Sequence, residues 1–274
     1  LNAADEIFKA LDMCGRYTLT SAPQIIRALF GYDELPNFPP RYNVAPTQPI
    51  AVVRLKEGRR EFALVRWGLL PSWVKDPKAF SLLINARGES VSEKPAFRNA
   101  MKRRRCLIPA DGFYEWKAIG ARKQPYFIHA KSGAPLAFAG LWEAWIGPNG
   151  EEFDSAAIVT TGANRALEPL HNRMPVIVPP EAFELWLGQP HVEDKDDLAA
   201  AEALIAPAPE DLLEVYPVST EVNRVANDNP KLLQPVTVSS EAAPAPKPKR
   251  AKAEKAAKPE SAKAIRDDKQ GALF

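Results

Sequence analysis

Proline sets the first limit on the fold. The chain has 27 prolines in 274 residues, about twice the usual frequency of roughly 5%. Each one fixes φ and removes a backbone donor, so long uninterrupted helices are not expected. Only four of them, Pro244, Pro246, Pro248 and Pro259, lie beyond residue 240. The body should therefore consist of short elements joined by fixed turns. Its 46% hydrophobic and 26% charged residues suit a globular chain and exclude collagen-like, coiled-coil and wholly disordered classes. The length allows one large domain or two small ones.

Strand signals dominate the middle of the chain. Residues 50–55 and 61–67 flank a Glu-Gly turn and predict a hairpin. Further short strands are expected at 106–108, 113–116, 126–129, 136–141 and 156–160. Helical windows fall at 93–102, 180–187 and 196–205. An earlier helix should start at Ser21-Ala22-Pro23, present Ile25, Ile26, Leu29 and Phe30 as its apolar face, and stop at Gly31. Residues 37–48 are Pro-rich and read as an ordered loop. The mixture has no regular βαβ alternation, which predicts an α+β fold rather than a doubly wound sheet.

Charge separates the body from the tail. Residues 241–274 are net +4 while the whole chain is only +2. Residues 242–269 are mainly Ala, Pro, Lys and Glu without an aromatic group, and are expected to be disordered because they bury too little to offset ordering entropy. Global charge does not announce a nucleic-acid binder, so such a site must come from a local patch. The longest nearly apolar run, residues 134–147, contains Glu143 and is shorter than the roughly 18 residues that a bilayer helix needs. Two cysteines, Cys14 and Cys106, are too few for a disulfide framework, and a reducing cytoplasm is the expected compartment. Position 1 is Leu. Met13 is therefore the expected start, and residues 1–12 an extension unrelated to the downstream pattern.

Met13-Cys14 carries distinctive chemistry. If Met13 is removed, Cys14 holds a free α-amine of pKa about 7.7–8.0 beside a thiol of pKa about 8.5. The amine can condense with an aldehyde, and the thiol can then close a thiazolidine ring on the same carbon. An internal Cys cannot do this, because its nitrogen is an amide. The plainer reading of Cys14 is a small buried hydrophobe.

Six further motifs follow in order. They are Arg41-Tyr42-Asn43-Val44-Ala45-Pro46-Thr47, Arg66-Trp67-Gly68-Leu69-Leu70-Pro71-Ser72-Trp73 and Ile84-Asn85-Ala86-Arg87-Gly88-Glu89-Ser90, then Arg105-Cys106-Leu107-Ile108-Pro109-Ala110-Asp111-Gly112-Phe113-Tyr114-Glu115-Trp116, Ala139-Gly140-Leu141-Trp142-Glu143 and His171-Asn172-Arg173-Met174-Pro175. In this combination the chain resembles the SRAP family, the SOS-response-associated peptidases understood as abasic-site-processing proteins. The resemblance runs from Met13 to Asn229. It implies a mainly antiparallel sheet or barrel-like core with short flanking helices over 13–229; composition adds a disordered basic Ala/Pro/Lys linker over 230–269 and a terminal segment over 270–274.

The resemblance also implies roles. Cys14 would attack the ring-opened aldehyde of an abasic site in single-stranded DNA and form a stable crosslink. Glu115 would shuttle the amine proton, and its aromatic neighbours suggest a half-buried carboxyl with a raised pKa. His171 would protonate the sugar ring oxygen, and Asn85 would hold an oxygen of the opened sugar. Arg16, Arg41, Arg87 and Arg173 are expected to clamp phosphates with their guanidinium forks. Trp67 or Trp73 would stack beside the lesion, with Trp67 the preferred one. The basic run Arg98, Lys102, Arg103, Arg104 and Arg105 reads as a solvated helix end or as a DNA-steering patch. His129 and His191 are expected to be structural.

No metal or nucleotide cofactor is expected, since His and Cys are sparse and no phosphate-binding glycine loop is present. The competing readings are an N-terminal-Cys autopeptidase or amidohydrolase, with its own amine as base, and a non-catalytic single-strand DNA adaptor. The family resemblance suggests a monomer acting on DNA at the nucleoid. Gln270, Leu273 and Phe274 resemble the bacterial sliding-clamp-binding motif, with Gly271 where Leu is common.

Overall fold

The structure, a computed structural model, describes residues 15–120, 122–188 and 195–238. Its strands are β1 (Tyr17–Leu19), β2 (Arg41–Val44), β3 (Pro49–Lys56), β4 (Arg59–Trp67), β5 (Asn85–Arg87), β6 (Arg105–Ala110), β7 (Gly112–Ile119), β8 (Arg122–Ala130), β9 (Leu136–Ile146), β10 (Glu152–Gly162), β11 (Arg173–Pro175) and β12 (Leu213–Pro217). Its helices are α1 (Pro23–Phe30), α2 (Arg98–Arg103), α3 (Phe183–Leu187) and α4 (Lys195–Ala203). The fold is α+β, with mainly antiparallel pairing.

Five strands close on themselves. β10 pairs with β4 in parallel, and β4–β3, β3–β6, β6–β9 and β9–β10 are antiparallel. Closure removes the open edges that would otherwise template aggregation. β10 outruns its neighbours. From Ile158 to Thr160 it pairs with β5 through Asn85, Ala86 and Arg87, and through Thr160–Gly162 with β11. Thr160 faces both Arg87 and Pro175 in register, so β5 and β11 occupy its two edges.

The second sheet runs β12-β8-β7-β1-β2, antiparallel throughout. Only Asp111 separates β6 from β7, and its N–H donates to the Thr18 carbonyl at 2.8 Å. One continuous segment therefore serves both sheets. Tyr17 lies edge-on to Trp67 of the barrel at 5.3 Å and to Phe138 at 6.1 Å, and Phe113 meets Phe138 at 5.8 Å. These rings knit the two sheets into one core.

Several local expectations hold. Pro23 opens α1, and Gly31 ends it in the left-handed region at φ 69°, where glycine has no steric penalty. Ile26 and Phe30 are buried and Leu29 packs against the core, but Ile25, expected on the same apolar face, is exposed to solvent. Glu57 and Gly58, both at positive φ, form the two-residue turn of the β3–β4 hairpin.

Others shift. The helix expected over 93–102 is confined to α2, because Pro95 biases the preceding backbone away from helix. The Pro-rich loop over 37–48 contains β2. The body also extends past residue 230. Pro230–Leu233 forms a 3-10 turn, Leu232 is fully buried, and Val236 N–H donates to the Pro217 carbonyl at 2.9 Å. The expected linker thus begins later than 230. Residues 1–14 and 239–274, with the expected extension and tail, lie outside the described residues.

Gly112 marks the switch between sheets. A Cβ there would sit 2.4 Å from Phe127 Cζ and 2.6 Å from the Ile128 carbonyl oxygen. Gly112→Ala should destabilise the protein by about 1–3 kcal/mol, the usual range for overpacking. Urea or thermal unfolding measures this, and an unchanged midpoint would contradict the tight crossing.

Candidate functional site

The pleat of β1 and β7 sorts their side chains onto two faces. Tyr17 pairs with Phe113, and Tyr114 N–H donates to the Arg16 carbonyl at 3.0 Å. Continuing this register sets Gly15, the first described residue, opposite Glu115. Tyr17 and Phe113 face the barrel as part of the main core, and Glu115 lies on the same face of β7. It is 5% exposed, more buried than the half-buried site expected.

Arg16 and Tyr114 point the other way. Arg16 is fully buried, and its Nη1 donates to Asn43 Oδ1 and to the Val222 carbonyl, both at 2.7 Å. Burial lowers its pKa to about 10, so it stays charged at neutral pH. This corrects the expectation of a phosphate clamp: the Arg16 guanidinium fixes β2 and the 222–223 backbone and presents nothing to solvent. Asn43 completes the junction by donating to the Val222, Arg224 and Asn227 carbonyls.

The far end of β10 gathers the remaining cluster. Asn85 opens β5, half-buried and in register with Ile158. Arg87, two residues on and exposed, pairs with Thr160. From the other edge, Arg173 of β11 donates through Nη2 to the Thr160 carbonyl at 2.8 Å and to Thr160 Oγ1 at 3.1 Å. Its Nη1 binds Glu89 Oε1, and Nη2 binds Glu89 Oε2 at 2.9 Å. This fork holds the Glu89 carboxyl below its usual range.

His171 precedes β11. Its Nδ1 lies 3.1 Å from the Arg173 amide N and 3.3 Å from the Arg173 carbonyl O. The amide can only donate, so Nδ1 accepts and the neutral ring carries its proton on Nε2. That leaves Nε2 as the ring nitrogen not engaged by the Arg173 backbone.

The structure thus brings Asn85, Arg87, His171 and Arg173 to the strands around Thr160. Glu115 lies on the other sheet, and core packing links that sheet to the strand that carries Asn85. Tyr17, beside Phe113 in register, meets Trp67, whose Nε1 donates at 3.0 Å to the carbonyl of Ile84, the neighbour of Asn85. Cys14 lies outside the described residues, as do His191, Gln270, Leu273 and Phe274.

The other arginines divide. Arg41 is partly exposed, and donates to Asp228 Oδ2 at 3.0 Å and to Gln48 Oε1 at 2.6 Å. The basic run is not one patch. Arg104 pairs with buried Glu143 at 2.7 Å, and Arg105 is sealed against Asp197, the Trp186 carbonyl and the Met101 carbonyl. Only Arg98, Lys102 and Arg103 of that run face solvent. Among the described residues no group of three His, Cys, Asp or Glu side chains could hold a metal ion.

Trp67 and Trp73 exchange roles relative to expectation. Trp67 is 0% exposed in the core, whereas Trp73 is 56% exposed and meets Phe80 edge-on at 5.6 Å. Of the two, only Trp73 has a ring accessible to a ligand. Sequence reasoning also missed Glu89 and Thr160 as partners of Arg173. Glu89 belongs to the 84–90 motif, but only the fold reveals its pairing.

A closed barrel joined to a second antiparallel sheet, with an Asn-Arg-His-Arg cluster where β10 escapes closure, defines a mixed β protein with a cationic, histidine-bearing seam. Residues 13–225 match the family described as SOS response associated peptidase (SRAP), and the chain belongs to that family. It is 42% identical over 226 residues to the abasic site processing protein YoqW of Bacillus subtilis, covering 81% of this chain and 99% of that one. It is 32% identical over 230 residues to the abasic site processing protein YedK of Escherichia coli, covering 82% and 100%. A crystal structure of a Bacteroides thetaiotaomicron protein matches at TM-score 0.73 and 25% identity, covering 82% of this chain and all of that one.

The two tryptophans give a direct check. Trp67→Ala should cost about 3–5 kcal/mol, typical of emptying a large aromatic site. Trp73→Ala should stay within about 0.5 kcal/mol, as for a surface change. Chemical denaturation of both variants tests the assignment, and equal losses would refute it.

Proposed function

We propose that this chain processes abasic sites in single-stranded DNA by covalent capture through Cys14. The observation that carries the reading is the register of Gly15 against buried Glu115. Gly15 is the sequence neighbour of Cys14, and the residue opposite Gly15 in this register carries a buried carboxyl. Membership of the SRAP family and relatives named abasic site processing proteins support the same chemistry.

The reaction needs a free α-amine at Cys14. That amine adds to the C1′ aldehyde of the opened sugar, and loss of water gives an imine. The Cys14 thiol then adds to the imine carbon and the nitrogen takes up a proton, closing the thiazolidine. Glu115 accepts and returns the amine proton, general catalysis worth about 10²–10⁴-fold. His171, with its Nε2 proton, assists ring opening. Asn85 holds the sugar oxygen. Arg87 and Arg173 hold phosphates on either side of Thr160, Arg41 adds a third cation, and Trp73 stacks on a flanking base. The word peptidase in the family's description keeps an N-terminal-Cys autopeptidase as the second reading.

Protein beginning at Cys14 should form a denaturant-stable adduct with abasic single-stranded DNA, read by intact mass. Cys14→Ala should form none. Protein retaining residues 1–12 uncut should also form none, because its Cys14 nitrogen is an amide. Glu115→Gln should slow capture at nearly unchanged DNA affinity. An equally stable adduct from Cys14→Ala would defeat the mechanism, and mass loss before Cys14 without DNA would favour the autopeptidase.

We further propose that residues 270–274 dock on a bacterial sliding clamp, Gln270 at the pocket rim and Leu273 with Phe274 in the apolar cleft. Joined through a long Ala/Pro/Lys segment, they would raise the local concentration of the body near replicating strands. A peptide of residues 262–274 should bind the clamp with micromolar-range affinity, weak because Gly271 replaces the common Leu. Doubly substituted Leu273→Ala/Phe274→Ala should not bind. No binding at millimolar peptide would refute this.

A further inference from the structure

The Arg173 fork is occupied. Both terminal nitrogens face the two Glu89 oxygens, while the Thr160 carbonyl and hydroxyl hold Nη2 from behind. The two partners differ in freedom. The Arg173 side chain is 15% exposed, whereas that of Glu89 is 56% exposed on a three-residue 3-10 turn, Gly88–Ser90. Arg173 is the fixed half of the pair and Glu89 the half that can leave.

A carboxylate and a phosphate diester each present two oxygens that a guanidinium fork binds side by side. A backbone phosphate can therefore replace Glu89 without moving Arg173 off Thr160. Arg87, exposed and in register with Thr160, adds a second cation beside the exchange point.

We propose that Glu89 is an internal stand-in for a DNA phosphate: it fills the Arg173 fork in the free protein and must swing out when a phosphate binds. This rests on the DNA-processing reading and assigns that site a specificity residue. The exchange trades one charged partner for another, so intact single strands gain little from Arg173. Passing encounters with ordinary DNA stay weak, and only a strand retained by covalent capture holds the fork open for long. Counterion release reflects the trade. Seating a phosphate on Arg173 releases a cation condensed on the DNA, and the departing Glu89 carboxylate gathers one from solution, so the exchange leaves the salt dependence nearly unchanged.

The test is a double-mutant cycle on the full chain, using fluorescence anisotropy with an undamaged single-stranded oligonucleotide, which excludes the covalent step. Glu89→Gln should tighten binding about two- to fivefold near 0.1 M salt, the scale of a partly exposed ion pair. It should also steepen the dependence of log affinity on log salt by about 0.7, one phosphate's share for single strands. Neither change should appear in an Arg173→Gln background, because Glu89 acts through that fork. Arg173→Met, which removes the charge and keeps an unbranched side chain, replaces Arg173→Gln if unfolding curves show that variant to be misfolded.

Weaker or unchanged binding by Glu89→Gln would overturn the proposal and make Glu89 a strut for Arg173. Equal tightening with and without Arg173 would overturn it as well, leaving only general charge repulsion. Either result, with wild-type binding and capture intact, leaves the functional reading standing. Absence of DNA binding and of adduct in every form, wild type included, would remove that reading and the proposal together.

Discussion

The buried indole of Trp67 ties the molecule together. Its Nε1 reaches the Ile84 carbonyl, its ring receives Tyr17 edge-on, and its backbone pairs with Gln48, Thr47 and Ala156. Burying such a side chain removes roughly 150–250 Å² from water, about 4–6 kcal/mol at about 25 cal/mol/Å². The edge-on contact adds about 0.5–1.5 kcal/mol. More important is what it joins: β1 of one sheet, the parallel seam of the barrel, and the residue before Asn85. This one group thus links the strand that pairs with β7 to the residue before Asn85.

The second constraint is the two-residue period of a strand. Arg16, expected to clamp a phosphate, is adjacent in sequence to Tyr17 of the core. The pleat sends them in opposite directions. One face of β1 and β7 carries Tyr17, Phe113 and Glu115 against the barrel. The other carries Arg16 and Tyr114 under the 218–233 segment, where Tyr114, Val218, Val222 and Leu232 form a separate core. A one-residue slip would exchange these faces, so the tight crossing at Gly112 protects the site as much as the fold.

Arginine is poorly read from sequence in this protein. Arg16, Arg104 and Arg105 are committed to internal carbonyls or carboxylates, and Arg54 lies between Glu61 and Asp154 with its guanidinium 4.1 Å over Trp142. Removing one partner of such buried pairs strands a charge and is costly. Buried Glu143 shows the same economy: burial raises its pKa while Arg104 opposes the rise. The cations left to meet a ligand are few, and the best placed of them, Arg173, is already paired.

By itself the sequence determined the kind of chain this is. Proline density excluded long helices, alternating apolar residues marked most of the strands, Glu57-Gly58 marked the hairpin turn, and Pro23 and Gly31 bounded α1. These are local signals, written in residues that fix their own φ or face. Six ordered motifs identified the family. The three-residue strands β1, β5 and β11 were not legible, because too short a run shows no period and each exists only through its neighbours. Nor could sequence decide that Trp67 is core and Trp73 surface, that Arg16 is internal, or that Glu89 fills the Arg173 fork. Those outcomes depend on which strand edges meet, and barrel closure, not local preference, brings β5 and β11 to opposite edges of β10.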